Sequence, residues 1–465
     1  MKARRLAIVL LLLSGFAIGH RALGVPWTDL GAGAGFLALC LVGLRTSSIR
    51  EKLLFAASVA LSGLLFWQGD GWDTFWVALD LAAFFAAFIL LLTALQIAAN
   101  RSQSVLDVGR YLIRQPASGR YIATAGGGHF LGVFLNFAAI SLMAPLIQNA
   151  AKGPDGQVDT ALERRQISAL LRGFAWILLW APTTLTQAVL MTLFTEVSYP
   201  LLIGLGVSTA FAMMLVGFLF DRVEWRGTGA DEIPAPLFPK RAFVRLMLVC
   251  ALLILGTGTL QIAAGYTTAL ALMIVAPAVT FAWFLAQHRQ GRTAPLPEAD
   301  PAGGANGPLH AFWGAVLESA PSLARSAIAL GLSGFIGRVL ADVLPVAALT
   351  ASLDLAAVPG WVFLSLLPVL ITLGGQVAVS PIILVVFLGQ AIQTLPTLPA
   401  DPTHIVFALS AGWALSMFAS PNATATLLIS ATTRLAPTQL TWAWNLKYAA
   451  VCYILLVGVF GILTA

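Results

Sequence analysis

Apolar runs long enough to cross a membrane alternate with short polar stretches along almost the whole chain. About 20 apolar residues span a bilayer as a helix, and the pattern predicts about eleven such spans. Two stretches break it. Residues 122–150 read IATAGGGHFLGVFLNFAAISLMAPLIQNA, with Gly126–Gly127–Gly128 weakening the first half, Asn136 and Ser141 forming a polar knot, and Pro145 interrupting the second half. Residues 358–392 carry Pro359, Pro368, Gly374, Gly375, Gln376, Ser380 and Pro381. Each reads as two half-length helices meeting at a polar turn. Basic residues on both sides of 122–150 make it a re-entrant hairpin. Broken backbone at membrane depth is tolerated only inside protein or along a cavity.

The plan occurs twice. After each hairpin comes a tryptophan and then a proline-broken polar helix, WAPTTLTQ (180–187) and ASPNATAT (419–426). Asn136 and Gln376 lie 240 residues apart, Pro182 and Pro421 239, and Trp176 and Trp413 237. This divides the chain into a first transmembrane helix or signal anchor (1–22), a first repeat (23–221), a cytoplasmic loop (222–242) and a second repeat (243–465). Five spans per half require the two copies to run in opposite directions, an arrangement characteristic of transporters. The fold class expected is an all-α polytopic membrane protein with two hairpins and an inverted repeat.

Composition narrows the class. Of 465 residues, 59% are hydrophobic and 10% charged, against about 25% charged in soluble domains, so no separate soluble domain is expected. The net charge of +6 follows from basic cytoplasmic loops and does not argue for nucleic acid. Lys2, Arg4 and Arg5 before the first span place the amino terminus in the cytoplasm of an inner-membrane protein, and the last span then ends outside. Arg110 and Arg114, interleaved with Val105 and Tyr111, suggest a helix along the membrane surface or a basic loop. Cys40, Cys250 and Cys452 sit in apolar runs, with no disulfide or metal spacing. No nucleotide-binding loop is present, so direct coupling to ATP is not expected.

The polar residues of the breaks carry the candidate chemistry. Helix termini offer free N–H groups and the positive dipole end to an anionic solute. Each proline frees one backbone carbonyl, open to Na⁺ or to water. One candidate half-site comprises Asn136, Ser141, Thr183 and Thr184 with Thr186 and Gln187. The other comprises Gln376, Ser380, Asn422 and Thr424 with Ser420 and Thr426. The same residues also serve to satisfy helix breaks or hold helices together. His129 and Asp80 are candidate proton sites; a structural histidine and a solvated carboxylate are their plainer readings. Arg338 and Asp342, four apart on one helix, are expected to pair.

LNFAAISLMAPLIQ resembles the first-hairpin motif of the divalent anion:sodium symporters, and ASPNATATLL resembles their second broken helix. The resemblance covers the plan of the chain and a few short motifs. Leu135–Asn136–Phe137 stands where Ser-Asn-Thr is expected, and Gly375–Gln376–Val377 at the second tip. The resemblance implies two half-sites, on Asn136, Thr183 and Thr184 and on Gln376, Ser380 and Asn422. It also implies Na⁺ as a coupling ion and a homodimer. The missing hydroxyls leave H⁺ coupling and another anion open. The function expected is secondary active transport of a small anionic or polar organic solute, without enzymatic activity. A polytopic membrane enzyme and a membrane scaffold are the alternatives.

Overall fold

A computed structural model describes residues 2–69, 71–100, 102–153, 155–194, 196–225, 236–289, 308–344, 358–395 and 397–465. Residues 226–235 of the expected cytoplasmic loop lie outside this set. Every element among the described residues is helical, and no strand is present. The first ten helices are α1 (Lys2–Leu23), α2 (Pro26–Gly43), α3 (Ile49–Gln68), α4 (Trp72–Asn100), α5 (Gln103–Ile113), α6 (Ala117–Leu135), α7 (Phe137–Ala150), α8 (Thr160–Ala175), α9 (Leu185–Leu193) and α10 (Tyr199–Glu224). They are followed by α11 (Lys240–Ala264), α12 (Thr268–Arg289), α13 (Pro308–Val343), α14 (Gly360–Gln376), α15 (Pro381–Gln393), α16 (Pro402–Ala419), α17 (Thr424–Thr433) and α18 (Leu446–Leu463).

Eight helical stretches among the described residues are long and apolar enough to cross a membrane. The other three expected spans are helical but fall short. They are the 18-residue α2, α3 with Arg50, Glu51 and Lys52 at its start, and the pair α8 and α9, which a break separates. The surface segment is helical too: α5 buries Val105, Val108 and Ile113 and leaves Arg110 exposed.

The helices gather into two compact units, Met1–Val105 with Arg241–Pro345 and Leu106–Lys240 with Val346–Ala465. Each takes one segment from either half of the chain, and the segments begin 240 residues apart (Met1 and Arg241, Leu106 and Val346).

In the first unit α4 packs on α13, α12 and α2. Ala82, Ala83, Ala86 and Ala87 are fully buried, since small side chains let membrane helices approach. The Arg338–Asp342 pair forms at 2.9 Å, as its spacing predicts. Asp80 belongs to this unit and is bound by Arg21 at 2.6 Å, whose guanidinium lies 4.5 Å from the Phe84 ring centre. The carboxylate is thus in an ion pair and half-buried, an arrangement that neither of the readings expected for Asp80, a proton site or a solvated carboxylate, included.

The second unit contains both hairpins and both proline-broken helices. α6 and α7 form the first hairpin, and α14 and α15 the second. α6 runs unbroken through Gly126–Gly128 and ends only at Asn136. The glycine triplet was expected to weaken the helix. Instead Gly128 faces Leu170 of α8, whose Cδ1 is 2.8 Å from where a Cβ would stand, and Gly127 faces Leu112 of α5 at 2.5 Å, while Gly126 faces open space. Pro145 and Pro368 likewise lie within continuous helices. α8 and α16 begin at Asp159 and Asp401, whose carboxylates accept backbone N–H bonds from Ala161 and Leu162 and from Thr403. Partial burial opposes ionisation of Asp401, but bonds from Thr403 outweigh it and hold the carboxyl below its ordinary range. Asp401→Ala is therefore expected to cost about 1 kcal/mol, seen as a lower apparent melting temperature in detergent. The contribution of Asp401 is present above its unfolded-state pKa and disappears as pH falls through the depressed folded-state value.

Candidate functional site

The two prolines determine the geometry of the second unit. Proline at position i removes the bond to the carbonyl at i−4, which frees Leu178 O for Pro182 and Met417 O for Pro421. Both carbonyls are taken up inside the protein. Gln187 Nε2 donates to Leu178 O at 2.8 Å, and Thr426 Oγ1 donates to Met417 O at 2.9 Å. In each case the donor lies nine residues beyond the carbonyl. The pairs Leu178/Met417, Pro182/Pro421 and Gln187/Thr426 share one offset of 239 residues. Trp176 and Trp413 stand two residues out of this register. The sequence reading left these carbonyls open to Na⁺ or water; the side chains that occupy them were in the expected clusters, but in a different role.

Each hairpin tip is tied to the break of its own repeat. Asn136, at φ 51°, joins α6 to α7, and its Nδ2 donates to Thr183 O at 3.3 Å. The Thr183 hydroxyl donates back to Val133 O. Thr184 caps α9, accepting from Gln187 N at 3.4 Å. At the second tip, too, bonds run in both directions. Asn422 Nδ2 donates to Gly375 O at 3.0 Å and Gln376 O at 3.3 Å, and Ser420 Oγ donates to Gly375 O at 2.6 Å. Gln376 Nε2 donates to Ala419 O at 3.0 Å, and its Oε1 accepts from Trp442 Nε1 at 2.9 Å.

The two repeats interlock. α7 packs on α17 and α15 on α9, so the second limb of each hairpin lies against the second half of the other broken helix. A glutamine near each limb's end makes the same bond. Gln148 Nε2 donates to Thr433 O at 2.6 Å, and Gln393 Nε2 donates to Leu193 O at 3.4 Å; Thr433 and Leu193 are the last residues of α17 and α9.

Three predicted residues stand apart from these bonds. Ser141 donates to Phe137 O of its own helix at 3.4 Å. Ser380 sits at the start of α15 without a side-chain cap bond, and Thr424 opens α17. His129 lies where α6 crosses α8, and both ring nitrogens are engaged. Nε2 accepts from Trp180 Nε1 at 3.3 Å, which leaves Nδ1 as donor to Gly173 O at 2.9 Å. This is a neutral ring holding two helices together.

The two half-sites differ in one respect. Asn136 Oδ1, Thr186 Oγ1 and Gln187 Oε1 are buried without a hydrogen-bond partner, whereas no side-chain atom of Gln376, Ser420, Asn422 or Thr426 is. Beside the second tip lies a cavity of about 590 Å³, bordered by Thr372, Gln376, Trp442 and Tyr453 and otherwise apolar.

Sequence reasoning missed Arg172. It is 3% exposed, donates from Nε to Asn445 Oδ1 at 2.8 Å and from Nη2 to Trp444 O at 3.2 Å, and lies 4.7 Å from the Tyr448 ring centre. The signal was present: a charge two residues into an expected span is a functional candidate by default.

No family model matches the chain, and no curated protein matches it by sequence. Its fold is shared by solved structures, among them the following two. The Alcanivorax borkumensis YdaH transporter is 16% identical, with a TM-score of 0.53 over 89% of this chain and 98% of its own. Neisseria gonorrhoeae MtrF, described as illuminating a class of antimetabolite efflux pumps, is 14% identical, with a TM-score of 0.51 over 85% of each chain. The chain thus has the fold of membrane transporters. The narrower likeness to divalent anion:sodium symporters rests on its two motifs alone.

Proposed function

We propose that the protein is a secondary transporter of the inner membrane that moves a small organic solute with an anionic or polar group by alternating access. One observation carries the reading: two hairpin tips, each tied to a proline break, interlock across the repeats within one compact unit. Broken helices in matching positions of two repeats are where transporters bind solute and coupling ion. The offset of 240 residues between the segments of each unit supports an internal repeat, one whose first copy takes in the opening helix that the sequence reading set apart as 1–22.

The three unpartnered oxygens of the first half-site favour a cation there, and Na⁺ suits an all-oxygen set. His129 has both nitrogens occupied, which weighs against it as the coupling proton site. The apolar cavity beside Gln376 favours a solute that has an apolar body as well as a polar group.

A thermal-shift screen of purified protein with small organic anions, in Na⁺, in K⁺ and at two pH values, tests this. Binding to the folded state raises its apparent stability. A Na⁺-dependent hit that disappears in Asn136→Ala and in Asn422→Ala is the expected result. A hit unaffected by both substitutions would remove the site assignment.

A further inference from the structure

A second groove lies in the same unit, away from the hairpin tips. It has a volume of about 610 Å³ and runs between the last turns of α10 and the first turns of α18. Its rim is basic: Arg164, Arg172 and Lys447 border it, with Glu224 as the acidic member. Arg164 is already paired with Glu224. Lys447 is exposed and makes no ion pair among the described residues. Arg172 is buried and also lacks a carboxylate within ion-pair distance among them. Asn445, the Trp444 carbonyl and the ring of Tyr448 hold it in place, but these are dipoles and a π face. A buried cation without a counter-charge is costly, and the rim keeps two positive charges unbalanced.

A single π-helical turn, Gln439–Ala443, precedes the groove. It leaves the Trp444 carbonyl free for Arg172, and such turns often mark functional sites. Away from the rim the groove is apolar. Val216, Leu219, Val223 and Val451 line it, with Leu219 53% and Val223 69% exposed. Val216 lies eight residues before the end of α10, about 12 Å down the helix. The rim stands at the ends of two apolar spans and the trough descends along them. A free anion would use only the rim; an amphiphile with a negative head uses both.

We infer that this groove binds an anionic glycerophospholipid, its phosphate between Lys447 and the edge of Arg172 and an acyl chain along Val216, Leu219 and Val223. The test uses delipidated full-length protein in a neutral detergent, titrated separately with dioleoyl phosphatidylglycerol, dioleoyl phosphatidylcholine and inorganic phosphate. Native mass spectrometry and thermal shift are the readouts. Phosphatidylglycerol alone is expected to be retained and to raise the melting temperature. Lys447→Gln weakens its binding about fivefold, the share of one basic side chain at an anionic surface. Val223→Trp fills the trough without changing charge and abolishes retention, and Lys52→Gln on α3 leaves it unchanged. Equal stabilisation by phosphatidylcholine, full reproduction of the effect by inorganic phosphate, or unchanged retention in both groove variants would each overturn the assignment.

Discussion

Gly173→Ala is expected to leave little or no folded protein. A Cβ at Gly173 would stand 2.0 Å from the carbonyl oxygen of Ala125 and 2.6 Å from its carbon. The obstacle is backbone in the middle of α6, so no side chain can rotate away. Overpacking a core usually costs about 1–3 kcal/mol; here the helices must separate, and the His129 bond to Gly173 O goes with them. A loss of more than about 3 kcal/mol is expected on that scale, read as the collapse of the monodisperse peak in size-exclusion chromatography. Gly412→Ala, 239 residues on, meets Ile371 Cδ1 at 2.7 Å and Pro368 Cα at 2.8 Å and is expected to be nearly as damaging. Gly126→Ala faces open space and should match the parent protein. A normally folding Gly173→Ala variant would mean that α6 and α8 do not cross this closely.

Gln187→Leu is expected to cost about 1–3 kcal/mol, because it strips the side-chain donor from the carbonyl of Leu178, a buried acceptor that Pro182 frees. The cause can be separated from simple loss of packing. Pro182→Ala returns a backbone N–H to the position facing Leu178 O, so the double variant should recover part of the melting temperature lost in Gln187→Leu. The same cycle with Thr426→Val and Pro421→Ala should behave alike, although Thr426 contributes one donor and Gln187 also bonds Ser410 Oγ at 3.1 Å. A double variant no more stable than Gln187→Leu would show that the glutamine acts by packing. Healing either break should also impair transport, since the two tips would lose the loops they hold.

Much of this fold is written in short-range sequence features. Asn136 is legible because a polar residue capable of positive φ interrupts an apolar run, and Pro182 and Pro421 because proline cannot continue a hydrogen-bonded helix. The glycines Gly126–Gly128 mislead for a physical reason. In water glycine weakens a helix, but between membrane helices it mainly permits close approach, and it takes the positions of Leu112 beside Gly127 and Leu170 beside Gly128 to tell the two apart. The prolines identify Leu178 O and Met417 O as freed carbonyls, but not the side chain nine residues later that reaches each. Arg172 announces itself as a charge inside a span, yet its partners Trp444 and Asn445 lie more than 270 residues away. The assembly of each compact unit from one segment of either half is likewise a matter of long-range packing, for which no local periodicity stands as a sign.

Alternating access can be tested before any substrate is known. Val377, at the tip of the second hairpin, is 73% exposed, and the native thiols Cys40, Cys250 and Cys452 are buried. Val377→Cys, in a background with those three replaced by serine, is labelled with a membrane-impermeant maleimide in right-side-out and in inverted vesicles. A transporter that opens its tips to each side in turn gives labelling from both faces, with the balance shifting between Na⁺ and K⁺. Labelling from one face only, unchanged in every ionic condition, would contradict the proposed mechanism and favour a static membrane scaffold.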